Sequence, residues 1–98
     1  MLEWFIAKMK HEFGVEVKME EVGYEAYAFD HEEIDELLIP AEHVKKLPNP
    51  LLLEAFMYVD AEGIEWIAGV VVEEGTREML YEVWIKDGKR ICACLYVS

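Results

Sequence analysis

Three glutamates, Glu54, Glu65 and Glu82, are the residues whose type and spacing could best do chemistry in this chain. Each lies in a stretch with strand-like alternation, and inferred pairing puts them on one sheet face with Phe56, Tyr58, Ile67 and Trp84. A carboxylate in apolar surroundings keeps its proton to higher pH and can act as a general acid or base. Two carboxylates about 5–9 Å apart also form the arrangement used in glycoside hydrolysis. The structural reading competes with both: rim residues, or ion-pair partners of Lys and Arg at a dimer interface.

Cys92-Ala93-Cys94 is the second candidate. Alternation on a strand puts both thiols on one side, which could begin a metal site. Zinc asks for four ligands, and the chain has no further cysteine. His11, His31 and His43 do not fall at ligand spacing. Neighbouring cysteines on one strand do not reach disulfide geometry. The expectation is two buried thiols acting as small hydrophobes, with no metal and no cofactor. Hydroxyl nucleophiles are scarce, since Thr76 and Ser98 are the sole Thr and Ser. Phosphate-cradling glycine loops and nucleophile elbows are absent from the sequence. These observations favour a protein that is not an enzyme.

The third candidate is an acidic run: Asp30, Glu32, Glu33, Asp35, Glu36 and Glu42. On a helix that buries Ile34, Leu37 and Leu38, these acids would line an exposed ridge. Evenly spaced carboxylates on a rigid ridge can imitate a phosphate backbone and fill a basic groove. An ordinary solvated helix face, with acids favoured in its first turn, explains the same run.

Composition narrows the choice. The 98 residues carry 21 Asp and Glu against 9 Lys and Arg, a net charge of −12, yet 54% are hydrophobic. That describes a foldable domain with an acidic skin, not a disordered tail. Such a charge opposes direct contact with nucleic-acid phosphates and with anionic membranes. It favours basic protein partners or solubility. No apolar run is long enough to span a bilayer, and no secretion signal is evident, so a cytoplasmic protein is expected. Gln is absent and Asn49 is the single Asn, a bias that points to a thermophilic source.

The elements that must position these residues follow from periodicity. Leu2, Phe5, Ile6, Met9 and Phe13 predict a helix over 2–13 ending at Gly14. Residues 15–19 and 24–29 alternate and predict a hairpin. Asp30 with Glu33 reads as a capping box for a helix from His31 to Leu38, kinked at Pro40 and continuing toward Lys46. Four strands follow, at about 51–59, 64–73, 78–86 and 90–97, with Asp87-Gly88 as a tight hairpin turn. The chain thus reads as a single α+β domain over 1–98. It combines an N-terminal helix, a hairpin, a kinked helix and a four-stranded antiparallel meander, with the helices packed on one sheet face.

Short turns fix register, so the faces can be sorted. Two-residue loops at Glu74-Gly75 and Asp87-Gly88 pair Ala68 with Tyr81, Glu65 with Trp84 and Trp84 with Ile91. A four-residue loop at 60–63 pairs Met57 with Trp66 and Glu54 with Gly69. One face is then almost free of charge and forms the core. The other, bearing Glu54, Phe56, Tyr58, Glu65, Ile67, Glu82 and Trp84, is too apolar to meet water. It calls for a cover: a curled sheet, a second subunit, a ligand or a partner. The expected function is an acidic interaction module. It would form a homodimer through this face or its edge and bind a basic protein, in one version as a nucleic-acid mimic of viral or phage type. The alternative is a small-molecule-binding domain or small enzyme built on the glutamate cluster.

Overall fold

The amphipathic stripe at the start of the chain forms a helix, α1, over Leu2–Phe13. Gly14 closes it with φ 69°, a left-handed conformation that glycine adopts without steric penalty. Gly14 N–H donates to Lys10 O and Val15 N–H donates to Met9 O, which satisfies the last-turn carbonyls. This computed structural model describes residues 1–97. Ser98, and with it the last position of the expected 1–98 domain, lies outside the described residues.

The remainder is a five-stranded antiparallel sheet in chain order: β1 Gly23–Phe29, β2 Leu51–Val59, β3 Glu65–Val72, β4 Met79–Lys86 and β5 Lys89–Leu95. The α+β class is as expected, with three corrections. Residues 15–18 form no strand, and Met19–Glu21 is a 3-10 turn. The expected hairpin is therefore absent, and β1 instead joins the main sheet beside β2, with Tyr24 opposite Phe56 and Ala26 opposite Glu54. The meander thus has five strands, not four.

The second correction concerns the kinked helix. Only a 3-10 turn over His31–Glu33 and a one-turn helix, α2, over Ala41–Val44 form. Local side-chain bonds compete with helix here. The expected Asp30/Glu33 capping box forms, with Glu33 Oε1 accepting from Asp30 N–H at 2.9 Å, but it caps only the 3-10 turn. Beyond it Asp35 Oδ1 accepts from Leu37 N–H at 2.8 Å and Glu36 Oε2 from Ala41 N–H at 3.3 Å. Arg90 Nη1, from β5, donates to Glu36 O and Leu37 O and ties this segment to the sheet.

The third correction is that both faces of the sheet are covered by the chain itself. The segment from Ile34 to Leu47 packs Leu38, Ile39, Val44 and Leu47 on Leu53, Val71, Tyr81, Val83 and Ile85. On the other side α1 packs Phe5 and Met9 on Phe56, Tyr58, Trp66, Ala68 and Trp84. Phe5 is fully buried and stacks between Phe56 and Trp84, with centroids 5.5 and 5.6 Å away. The face that called for a cover is the seat of α1. No helix among the described residues is long and apolar enough to cross a membrane.

Register explains why the faces sort differently from expectation. Asp60 N–H bonds to Ile64 O around a three-residue loop in which Gly63 has φ 80°. Tyr58 therefore pairs with Trp66, and Met57 with Ile67. Between β3 and β4, Glu73 N–H bonds to Glu78 O around a four-residue loop, and a bulge follows at Val71/Val72. Ala68 then pairs with Trp84, and Ile67 with Ile85. The Asp87-Gly88 turn pairs Lys86 with Lys89 as expected, both turn residues having positive φ. A bulge at Trp84/Ile85 then brings Cys92, not Ile91, opposite Trp84.

Candidate functional site

Glu54 lies in the middle of β2 and is only 2% exposed. Burying a carboxylate costs several kcal/mol unless partners replace its water, on the order of the penalty for any unpaired buried ion. Its partners come from two directions. Tyr24, on β1, donates its hydroxyl to Glu54 Oε1 at 2.7 Å. Arg77, from the β3–β4 loop, places Nη2 at 2.7 Å from Glu54 Oε2. That contact is an ion pair without hydrogen-bond alignment, because Oε2 is buried and has no aligned donor. The Glu54 carboxylate raises the Tyr24 phenol above its ordinary range, chiefly through their hydrogen bond.

Arg77 reaches Glu54 through an uncommon backbone. Its φ is 63°, in the left-handed region that few residues other than glycine and asparagine enter. Arg77 N–H bonds to Glu73 O at 2.8 Å, and Thr76 Oγ1 accepts from Glu78 N–H at 3.2 Å, so the loop itself holds this turn.

Glu54, Tyr24 and Arg77 form the polar side of a cavity of about 270 Å³. Met1, Leu2, Val22 and Phe56 line the rest of it. A concave, mostly apolar site with a few convergent polar groups is the usual form of a small-molecule pocket, here near the small end of the size range.

Glu82 is also buried, at 4% exposure, but is saturated with partners. Oε2 accepts from Trp84 Nε1 at 2.8 Å and lies 3.8 Å from Lys8 Nζ on α1. Oε1 accepts from the Tyr96 hydroxyl. Burial, and then the bond to Glu82, push the Tyr96 phenol strongly upward.

The expected seven-residue site is thus divided. Glu54, Phe56, Tyr58, Glu82 and Trp84 share the face covered by α1, but only Glu54 and Phe56 line the cavity. Tyr58 donates its hydroxyl to Glu16 O at 3.4 Å, and Trp84 is stacked against Phe5. Glu65 does not join the cluster. It is exposed at the start of β3, paired with Val59, on the opposite face. Ile67 packs into the other core. The one-residue shift at the 60–63 loop moved both away.

Sequence reasoning missed Met1, Leu2, Val22, Tyr24 and Arg77. Arg77 carried a usable signal: it is one of two arginines in the chain and stands alone among Glu73, Glu74 and Glu78. An isolated cation in an acidic loop invites the question of which carboxylate it meets.

The six acids of the expected ridge lie on the irregular segment described above, and no helix spaces them evenly. Glu33, Asp35 and Glu36 spend carboxylate oxygens on backbone amides. Asp30, Glu32 and Glu42 are exposed. Cys92 and Cys94 are exposed free thiols on the edge strand, not the buried pair expected. They share the face of Trp84 and Glu82, and partial burial followed by the Glu82 charge raises the Cys92 thiol. Asp60 is held below the ordinary carboxylate range, first by Trp66 Nε1 at 3.0 Å and then by Ile64 N–H. That network fixes the β2–β3 turn. Comparison with family models, curated proteins and solved structures finds no match for this chain.

Proposed function

We propose that this protein is a small-molecule-binding domain whose site is the cavity between α1, β1, β2 and the β3–β4 loop. The observation that carries this reading is Glu54: a buried carboxylate with an oxygen short of an aligned donor, opening on a cavity with apolar walls. A group needed only for folding is cheaper as an apolar residue. At the equivalent place on the far side of β3, Glu82 has a full set of partners. Nothing in the arrangement requires bond-making, so the reading is binding rather than catalysis.

The test is a titration of the isotopically labelled protein with mixtures of small metabolites, followed by NMR. The expected result is a compound that shifts Leu2, Val22, Tyr24 and Phe56 together. Val22→Trp, which fills the cavity from its rim, should abolish those shifts while the sheet stays folded. If no compound at millimolar concentration moves these signals, the reading fails.

The acidic-module reading, in which Asp30, Glu32, Glu33, Asp35, Glu36 and Glu42 meet a basic partner, draws on net charge alone. Local backbone bonding already accounts for three of the six. Self-association has a specific observation behind it. Strand β5 is exposed from Lys89 to Cys94, includes apolar Ile91 and Ala93, and forms an edge of the sheet with no strand beyond it among the described residues. Such an edge is suited to pairing with a second copy. Light scattering should then show a dimer that Ile91→Lys disrupts, and a monomer at every concentration would refute it.

A further inference from the structure

We propose that the cavity takes an apolar α-amino acid in its zwitterionic form. This assignment rests on the small-molecule reading above and specifies the ligand. The polar side of the cavity joins one buried anion and one cation, and each has capacity left over. Glu54 Oε1 is occupied by Tyr24, whereas Oε2 lies 2.7 Å from Arg77 Nη2 in an ion pair that leaves it without an aligned hydrogen-bond donor. A ligand ammonium supplies one. Arg77 is 56% exposed, and its guanidinium carries more N–H donors than its contact with Glu54 uses. A ligand carboxylate fits that fork in a bidentate pair. Helix α1 begins at this rim with Leu2, and its first turn has no side-chain cap, which adds positive potential beside Arg77.

The apolar walls receive the ligand side chain. Leu2, Val22 and Phe56 offer no hydrogen-bonding groups, so a branched or aromatic side chain is the match. The volume of about 270 Å³ suits a single amino acid. A ligand with one charge would desolvate both Glu54 and Arg77 while pairing only one of them, which is the costly case. Two oppositely charged groups on one carbon satisfy both at once.

The experiment compares three compounds of one shape on the full chain by NMR and calorimetry: L-phenylalanine, phenethylamine and hydrocinnamate. L-phenylalanine should shift Leu2, Val22 and Phe56, and each singly charged compound should bind about tenfold more weakly or worse, as expected for loss of one charge-assisted pair. Glu54→Gln should penalise phenylalanine and phenethylamine more than hydrocinnamate. Arg77→Gln should show the converse. The three-compound comparison needs no variant and stands even if these substitutions impair folding. If either singly charged compound binds as tightly as the amino acid, the zwitterion assignment is overturned and the pocket reading survives. If none of the three, and no other compound, moves the pocket signals, both are overturned.

Discussion

Glu54 and Glu82 stand in one cross-strand row with fully buried Val70 between them, yet on the one face they share their carboxylates meet different partners, toward opposite edges of the sheet. Two strand spacings separate their backbones by about 10 Å. Glu54 meets Tyr24 of β1 and Arg77, whereas Glu82 meets Tyr96, beyond β5, and Lys8 of α1. Each buried glutamate thus pairs with a tyrosine and a cation. The difference is that the first lines the cavity between α1, β1 and β2. The two are separate sites rather than a catalytic pair.

Removing Arg77 leaves Glu54 buried with Tyr24 alone. Arg77→Ala should destabilise the fold by about 1–2 kcal/mol, between the value of an exposed pair and that of a fully buried one, because Arg77 is itself half exposed. Urea unfolding measures this as a lower midpoint at unchanged slope. The double variant Arg77→Ala, Glu54→Leu should recover most of the loss. If it does not, Glu54 is not what Arg77 compensates.

Phe5 is the anchor of α1, stacked on both Phe56 and Trp84. Phe5→Ala should cost about 3–5 kcal/mol, the usual range for a fully buried aromatic. Leu37→Ala, at 40% exposure, should stay within about 0.5 kcal/mol of the parent. Thermal unfolding followed by Trp fluorescence distinguishes the two. Comparable losses would mean that α1 is not a principal cover of the sheet.

Alkaline pH should weaken the protein through its tyrosines. Tyr24 and Tyr96 ionise above the ordinary value of 10.0 in the folded state, the first through its bond to Glu54 and the second through burial and Glu82. The unfolded chain then releases these protons first. The stability they contribute is whole below the ordinary value and falls as pH rises from there toward the folded-state values. Burial raises Tyr81 as well, so some decline persists without the other two. Melting temperature against pH should therefore fall less steeply for the Tyr24→Phe, Tyr96→Phe double variant than for the parent. An equal slope would remove these phenols as the cause.

Gly69 is required by its neighbours rather than by its backbone. A Cβ there would sit 3.0 Å from Val83 Cγ1 and 3.6 Å from Leu53 Cδ1, in the central strand. Gly69→Ala should destabilise by about 1–3 kcal/mol through overpacking. Pairing it with Val83→Ala should relieve part of that loss. Strict additivity in denaturant unfolding would argue against the contact.

Much of the fold is legible in the residues one at a time. The spacing of Leu2, Phe5, Ile6, Met9 and Phe13 determines a helix, Gly14 its end, and Asp87-Gly88 a tight turn, because periodicity and backbone sterics act locally. The apolar character of both sheet faces is also plain in sequence. Which chain segments cover them is not, since α1 and the 34–47 segment reach opposite faces only through the path of the connections. Register was lost for a similar reason. A three-residue loop at 61–63 and a four-residue loop at 74–77 differ from the two simplest readings by one or two residues, and a single residue reverses every side chain beyond it. Local pattern therefore determined α1 and most of the strands and marked Glu54, Glu65 and Glu82 as anomalous, of which Glu54 and Glu82 are buried. Tertiary structure alone decided that Arg77 and Tyr24 meet Glu54, because contacts between residues far apart in the chain depend on loop geometry and bulges that no local preference encodes.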